Sequence, residues 1–210
     1  MRINENTLLE GKKAVLVPYN ANHVPSKIIL PLLKEKLFDF FYIFPECTFI
    51  ILDKQRWADP SIEEEQCMVG DVNMFLTDPT DLSLAELEIM IAEPSYRGKG
   101  IGKEVAHMMM CYGVTKLGIK KFQVKIGLDN QVSISMFKKL HFQQVSVCKV
   151  FKEVTLVLTV DESVRTRLSS FCTAEQTQQE TGLWFRLSHA PQLPIFIHSL
   201  IPGYLFISSQ

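Results

Sequence analysis

The stretch Arg97-Gly98-Lys99-Gly100-Ile101-Gly102 decides how the rest of this 210-residue sequence is interpreted. It lies between an apolar segment at residues 85–92, which predicts a strand, and apolar residues at helical spacing, which predict a helix over residues 101–117. Glycines at such a junction allow a tight turn and leave no side chain over the backbone. The N–H groups at the helix N-terminus then face outward, where the helix dipole favours an anion such as phosphate.

Positive charge at this turn supports the same interpretation. Arg97, Lys99 and Lys103 place three cations within seven residues. A P-loop would need four residues between its first glycine and Gly-Lys-Ser/Thr, and a dinucleotide fingerprint would need glycine at position 103, so both fit poorly. The remaining alternative is a glycine-rich connection between a strand and a helix that binds no ligand.

The segments outside the turn predict an α/β fold. Apolar runs bounded by turn residues predict six further strands, at residues 14–17, 47–53, 68–76, 122–126, 145–150 and 154–160. Helical spacing predicts a second helix at residues 132–140, and the apolar residues 28–44 predict a buried helix. We therefore expect a mixed central sheet of about six to seven strands, flanked by helices.

Composition excludes several classes of protein. With 47% apolar and 21% charged residues, the chain has enough apolar surface for a real core. A net charge of −1 lacks the basic excess that nucleic-acid binding usually requires. The first 20 residues carry five charges, which predicts no signal peptide, and charges interrupt residues 28–44, which predicts no membrane span. We expect a protein of the cytoplasm or nucleus that binds neither nucleic acid nor membrane.

Domain organisation and metal binding are predicted from the remaining patterns. Residues 1–163 are expected to form one domain. Residues 164–210 hold five charged residues and sustain no period, so they predict an irregular tail of disordered character. No CxxC, HExxH or EF-hand pattern occurs, and we therefore expect no metal site.

Two motifs resemble the GCN5-related N-acetyltransferases. Arg97-x-x-Gly100-x-Gly102 matches the (Gln/Arg)-x-x-Gly-x-(Gly/Ala) turn of that family, which holds a pyrophosphate. Asn130-x-x-Ser133-Ile134-x-x-Phe137-x-Lys139-Leu140-x-Phe142 resembles the family's segment around the coenzyme A arm. Both stand in the family's order and distance, and the resemblance covers residues 1–26 and 46–163. It implies the fold of that family, acetyl-CoA as cosubstrate without a metal, and a protein or peptide amine as acceptor.

The resemblance also implies where the cofactor lies. The pyrophosphate would bind residues 97–102, including Gly98, Lys99 and Ile101. The pantetheine arm would lie along residues 87–92, where this strand separates from the one at 122–126. A backbone N–H near Met90 or Ile91 would polarise the thioester carbonyl. Two further positions of the family's cofactor site correspond to Asn130 and Phe137, although Asn130 would serve equally well as the cap of the following helix.

Two glutamates are candidates for the general base. Glu86 and Glu88 lie on one face of their strand, because side chains alternate with a period of two. Glu86 stands eleven residues before Arg97, the position of the family's general base, and Glu88 is the second candidate. The alternative is that both carboxylates are solvated or paired on an exposed strand face.

The family's proton donor is a tyrosine seven residues after the asparagine, and this sequence has Phe137 there. Phenylalanine cannot donate a proton, so water, Tyr96 or Tyr112 would replace it, or the thiolate would leave unassisted.

The sequence departs from the family in two places that bear on the acceptor. Residues 27–46 are shorter than the two helices that wall the family's acceptor site, and residues 164–210 have no counterpart. We therefore expect acetyl-CoA binding with weak or no peptide acetylation. Two alternatives stay open: a non-catalytic acetyl-CoA-binding or protein-interaction module, and an acetyltransferase for small amines.

Overall fold

The chain folds around a mixed sheet. The computed structural model describes residues 4, 6–20, 23, 46–78 and 80–176. In this part of the chain the strands are β1 (Leu9–Glu10), β2 (Ala14–Pro18), β3 (Glu46–Asp53), β4 (Met68–Phe75), β5 (Leu84–Ile91), β6 (Lys121–Gly127), β7 (Gln143–Cys148) and β8 (Glu153–Thr159). The helices are α1 (Lys54–Trp57), α2 (Glu64–Cys67), α3 (Ile101–Lys116), α4 (Gln131–Lys139) and α5 (Glu162–Gln176), with a 3-10 turn at Pro94–Tyr96. None of these described helices has the length and apolar character needed to cross a membrane.

The strand order is β1-β2-β3-β4-β5-β6-β8-β7. All neighbouring strands are antiparallel except β5 and β6, which run parallel because α3 connects them as a crossover. The predicted fold class, a mixed sheet flanked by helices, is confirmed. The described sheet has eight strands rather than six to seven. The additional one is β1, whose two residues are too few to show a strand period.

The main core lies between one face of the sheet and helices α3, α4 and α5. Strand residues of alternate positions point to this face, since successive side chains point to opposite sides. Its large, fully buried side chains include Phe49, Ile51, Met74, Met109 and Phe122. Helices α3 and α4, which follow β5 and β6, are therefore held against the sheet by their buried apolar residues. This packing sets the position of the glycine turn at the start of α3.

The opposite face of the sheet has its apolar cluster along β2 and β3. A smaller cluster packs there with the 54–67 segment: Val15, Val17, Ile50, Leu52 and Cys67. Along β4, β5 and β6 the same face carries polar side chains: Asp71, Asn73, Glu86, Glu88, Gln123 and Lys125. We call these six residues the polar face. Charged and amide side chains that cluster on the central strands of a sheet make this face a candidate catalytic surface.

The segment after residue 163 begins as a helix, where the sequence predicted irregular structure. Val164 and Leu168, one turn apart in α5, lie in the core at 6% and 4% exposure. Asp161 starts the helix by accepting the Val164 N–H at 2.8 Å. The prediction was wrong for residues 164–176, because polar residues between the two core contacts hide the helical period.

The two longest stretches outside the described residues are 24–45 and 177–210. The predicted helix at 28–44, most of the atypical stretch 27–46 and the rest of the predicted tail fall there.

Candidate active site

The glycine turn has the conformation that its sequence requires. Gly98 and Gly100 have φ values of +74° and +83°, a region that other residues adopt only with strain. Gly100 is the N-cap of α3. A Cβ at Gly98 would meet no atom within 4 Å, and one at Gly102 would make only ordinary contacts at 3.8 and 3.9 Å. The turn therefore presents its backbone to open space at a helix N-terminus, as an anion site needs.

The side chain of Arg97 connects this turn to the end of β5. Its Nε donates to the Ile91 carbonyl at 2.8 Å and its Nη2 to the Ala92 carbonyl at 3.2 Å. The guanidinium therefore fastens the turn to the end of β5. Lys99 lies on the other side, with its ammonium 4.9 Å from the centre of the Tyr96 ring.

Strands β5 and β6 separate before either strand ends. Their parallel pairing covers Leu84↔Lys121, Ala85↔Phe122 and Glu86↔Gln123. Beyond that pair, β5 continues against β4 as far as Ile91, and β6 continues against β8 as far as Gly127. In these fully described strands, the edge of β5 after Glu86 therefore has backbone groups that β6 does not pair. The predicted separation of the two strands is present, and Met90 and Ile91 lie along it.

Glu86 stands where the two strands separate. Glu86 is only 6% exposed to solvent. Its Oε2 accepts hydrogen bonds from Gln123 Nε2 and Lys125 Nζ, each at 2.8 Å. Within the described residues its Oε1 makes no hydrogen bond. The carboxylate is thus held in place through one oxygen, while the other remains able to accept a proton.

Glu88, two residues further along β5, has a different environment. Partial burial raises the pKa of its carboxyl group, and the negative charges of Glu86 and Asp71 raise it further, against the opposite effect of Lys125. Burial also raises the pKa of Asp71, which accepts a hydrogen bond from Asn73 Nδ2 at 3.0 Å. Three carboxylates beside one another make this face attractive to a cationic amine.

A cleft on the helical side of the sheet was not foreseen from the sequence. It has a volume of about 400 Å³ and lies between α3, the end of α4 and α5. Basic or imidazole side chains line it: Lys103, His107, Lys139, His141 and Arg167. Apolar side chains complete its wall: Met110, Leu140, Leu158, Val164 and Leu168. None of these lining residues is acidic. We call this site the basic cleft. Lys103 places one end of it in the first turn of α3, beside the glycine turn.

Comparison with known proteins identifies the family. The model of the acetyltransferase (GNAT) domain matches residues 43–143. Human alpha/beta-tubulin-N-acetyltransferase 9 is 53% identical over 182 residues, which cover 78% of this chain and 88% of that protein. The chain belongs to the GNAT acetyltransferase family. The N-acetyltransferase 9-like protein of Nematostella vectensis is 45% identical over 173 residues, with 74% of this chain and 87% of that protein covered.

Solved structures show the same fold. RimL, described as a ribosomal L7/L12 alpha-N-protein acetyltransferase in complex with coenzyme A, superposes with a TM-score of 0.57 at 14% identity. The match covers 74% of this chain and 99% of RimL. The family predicted from the glycine turn and the segment after Asn130 is confirmed, and with it acetyl transfer to an amine as the activity.

The structure gives two positions of the GNAT motif a role within the fold, the first of which the sequence offered as an alternative. Asn130 caps α4, because its Oδ1 accepts the Ser133 N–H at 3.1 Å. Phe137 is 5% exposed and packs edge-on against Phe142, with ring centres 5.1 Å apart. Its burial gives it a packing role in the main core.

The tyrosines considered as proton donors are also engaged elsewhere. Tyr112 is buried in the main core, edge-on to Phe49, and burial raises the pKa of its phenol. The Tyr96 phenol has a raised pKa first because of its hydrogen bond with the Asp53 side chain. Both phenols therefore have protein partners of their own, and neither tyrosine is among the six residues of the polar face of this GNAT domain.

Proposed function

We propose that this chain transfers the acetyl group of acetyl-CoA to an amine of a protein, with Glu86 as the general base. The observation that carries the proposal is the separation of β5 from β6, which begins at Glu86 and leads along β5 to the glycine turn. A carboxylate with one oxygen available thus stands at one end of an unpaired strand edge, and an anion site stands at the other. Non-catalytic binding of acetyl-CoA would need the turn but not this carboxylate.

The residues present fit acetyl-CoA in three places. The N–H groups of residues 98–102 suit the pyrophosphate, and the unpaired edge of β5 near Met90 and Ile91 suits the amide groups of pantetheine. Asn130, at the start of α4, would bond the same arm through its amide nitrogen. The basic cleft suits the 3′-phosphate and adenosine, since it combines cations with an apolar wall. When bound, acetyl-CoA supplies the acetyl group as a thioester.

Glu86 and its neighbours prepare the acceptor. An amine reaches the polar face as an ammonium ion and is nucleophilic only after it loses a proton. Glu86 Oε1 takes that proton, directly or through water, while Lys125 and Gln123 hold Oε2 in place. The N–H groups of β5 near Met90 and Ile91 face the position where negative charge develops on the carbonyl oxygen.

The acceptor we propose to test first is an N-terminal peptide of tubulin, because relatives at 53% and 49% identity carry tubulin in their names. The assay measures free thiol released from acetyl-CoA, with mass spectrometry of the peptide. Peptide acetylation supports the proposal, and robust turnover would contradict the weak peptide acetylation expected from the atypical residues 27–46 and 164–210. Acetylation of spermidine in preference to peptides would support a small-amine enzyme, and acetyl-CoA binding without turnover would support the non-catalytic alternative.

The basic cleft predicts a phosphate-specific effect of Lys139. Lys139→Met should weaken acetyl-CoA binding by about 5–10-fold, the usual effect of one exposed charge-assisted hydrogen bond. Dephospho-CoA, which lacks the 3′-phosphate, should bind the variant and the parent protein equally. Calorimetry with both ligands measures this, and Lys138→Met, the exposed neighbour outside the cleft, is the matched control. Equal weakening of both ligands would place the 3′-phosphate elsewhere.

A further inference from the structure

We propose that Lys13 is a positioning residue of the phosphate-binding turn, supplied by the β1–β2 hairpin rather than by the family motif. Its ammonium holds the Lys99–Gly100 peptide unit in the orientation that binds an anion and adds a positive charge beside it. This inference rests on the proposed function. Lys13 and Lys99 are 86 positions apart, and no motif in the sequence connects them.

The hairpin is fastened to the first turn of α3. The Glu104 carboxylate accepts the backbone N–H groups of Lys12 and Lys13, the latter at 3.0 Å to Oε2. Gly11 makes this approach possible, because a Cβ there would lie 2.9 Å from both Glu104 Oε1 and Met108 Sδ. The Gly11 N–H donates to the Ala14 carbonyl at 2.8 Å and closes the hairpin. The backbone of Lys13 therefore has a fixed place beside the glycine turn.

The side chain of Lys13 acts on the turn itself. Its Nζ donates to the Lys99 carbonyl at 2.7 Å and lies 3.2 Å from where a Cβ of Gly100 would stand. The C=O and N–H of a trans peptide point in opposite directions. Because the Lys99 carbonyl points at Lys13, the Gly100 N–H points away from the hairpin. Without Lys13, this peptide could rotate and present its carbonyl oxygen to an incoming phosphate.

The charges around the glycine turn also favour this role for Lys13. Glu104 stabilises the N-terminus of α3 through the helix dipole, but its negative charge would oppose a phosphate at the same place. Two backbone donors and the nearby ammonium of Lys13 offset that charge. Arg97 is meanwhile bonded to the carbonyls at the end of β5. Lys13 is therefore the cation whose position depends directly on the turn's backbone.

The test compares Lys13→Met with Lys12→Met, its neighbour in the same hairpin. Lys13→Met should weaken acetyl-CoA binding and raise KM for acetyl-CoA by about 10-fold, with kcat within twofold of the parent protein. Lys12→Met should change neither quantity by more than about twofold, since an exposed charge at a distance is screened. Lys13→Arg should recover most of the affinity, because guanidinium also donates to a carbonyl. Thermal unfolding of all variants measures any general loss of structure.

Two results would overturn the inference. One is parent-like acetyl-CoA affinity in Lys13→Met, which leaves the proposed function intact because the parent protein still binds. The other is a loss of affinity in Lys13→Met that accompanies an equal loss of folded protein and is not recovered in Lys13→Arg, which would show a purely structural role. Absence of acetyl-CoA binding by the parent protein would overturn both this inference and the proposed function.

Discussion

Glu86→Gln is expected to lower turnover by about 10²–10⁴-fold, the range typical of a lost general base. The substitution keeps the shape of the side chain and its contact with Gln123 but removes the ability of Oε1 to accept a proton. The Lys125 side chain is 48% exposed, so solvent can hydrate its ammonium once the carboxylate is gone. Acetyl-CoA affinity should therefore stay within about twofold, since Glu86 acts on the acceptor.

The measurement is thiol release with a protein or peptide acceptor over a range of pH, together with calorimetry of acetyl-CoA. Glu88→Gln is the matched variant, since it removes a carboxylate from the same strand and the same face. It should lower turnover by less than about 10-fold, because its effect on the proton acceptor is electrostatic only. Parent-like turnover of Glu86→Gln across pH would eliminate Glu86 as the general base. Glu88, whose carboxyl group has a raised pKa, would then be the candidate for that role.

The double substitution of Gly100 and Gly102 by valine is expected to weaken acetyl-CoA binding by about 100-fold or more, because several charge-assisted hydrogen bonds to the pyrophosphate are lost together. Branched side chains at both positions would stand over the backbone N–H groups that we propose bind the phosphates. Valine at Gly100 is also strained, since φ is +83° there. Calorimetry measures the affinity, and circular dichroism checks that the domain remains folded.

Gly118 provides a control for that strain. It follows α3 at the far end of the helix, has a φ of +71°, and a Cβ there would meet no atom within 4 Å. Gly118→Val should therefore lose stability to a similar extent while binding acetyl-CoA with parent-like affinity. Gly102→Val alone, where φ is not positive and the Cβ contacts are ordinary, separates steric blocking from backbone strain. Unchanged affinity in the folded double variant would show that the pyrophosphate does not bind this turn.

Local patterns in the sequence were sufficient for the elements that surround the turn. Strands predicted at 68–76 and 85–92 agree with β4 and β5 to within about one residue, because alternating or continuous apolar runs report burial directly. The shared face of Glu86 and Glu88 followed from the strand period. An apolar run or period is absent from the sequence when few residues of an element contact the core. For this reason the sequence predicts neither β1 nor α5.

The resemblance to the GNAT family predicted a feature of the tertiary structure that local patterns do not show. It did not predict the contacts of individual side chains. The separation of β5 and β6 was expected from the motifs, and it begins at Glu86. The motifs did not show that Arg97 binds the end of β5 or that Phe137 is buried against Phe142. A motif preserves residue types at a spacing, whereas the contacts of each side chain depend on what packs around it.

The sequence by itself determined the strands β2 to β8 and the helices α3 and α4 in their order, the glycine turn at the start of α3 and the face on which Glu86 lies. Only the tertiary structure decided which groups meet there. Lys125 reaches Glu86 across the β5–β6 boundary, Lys13 reaches Lys99 from the first hairpin, and three separate helices build the basic cleft. The physical reason is that such contacts depend on strand order and helix packing. Both are set by burial of the whole core and leave no period in the local sequence.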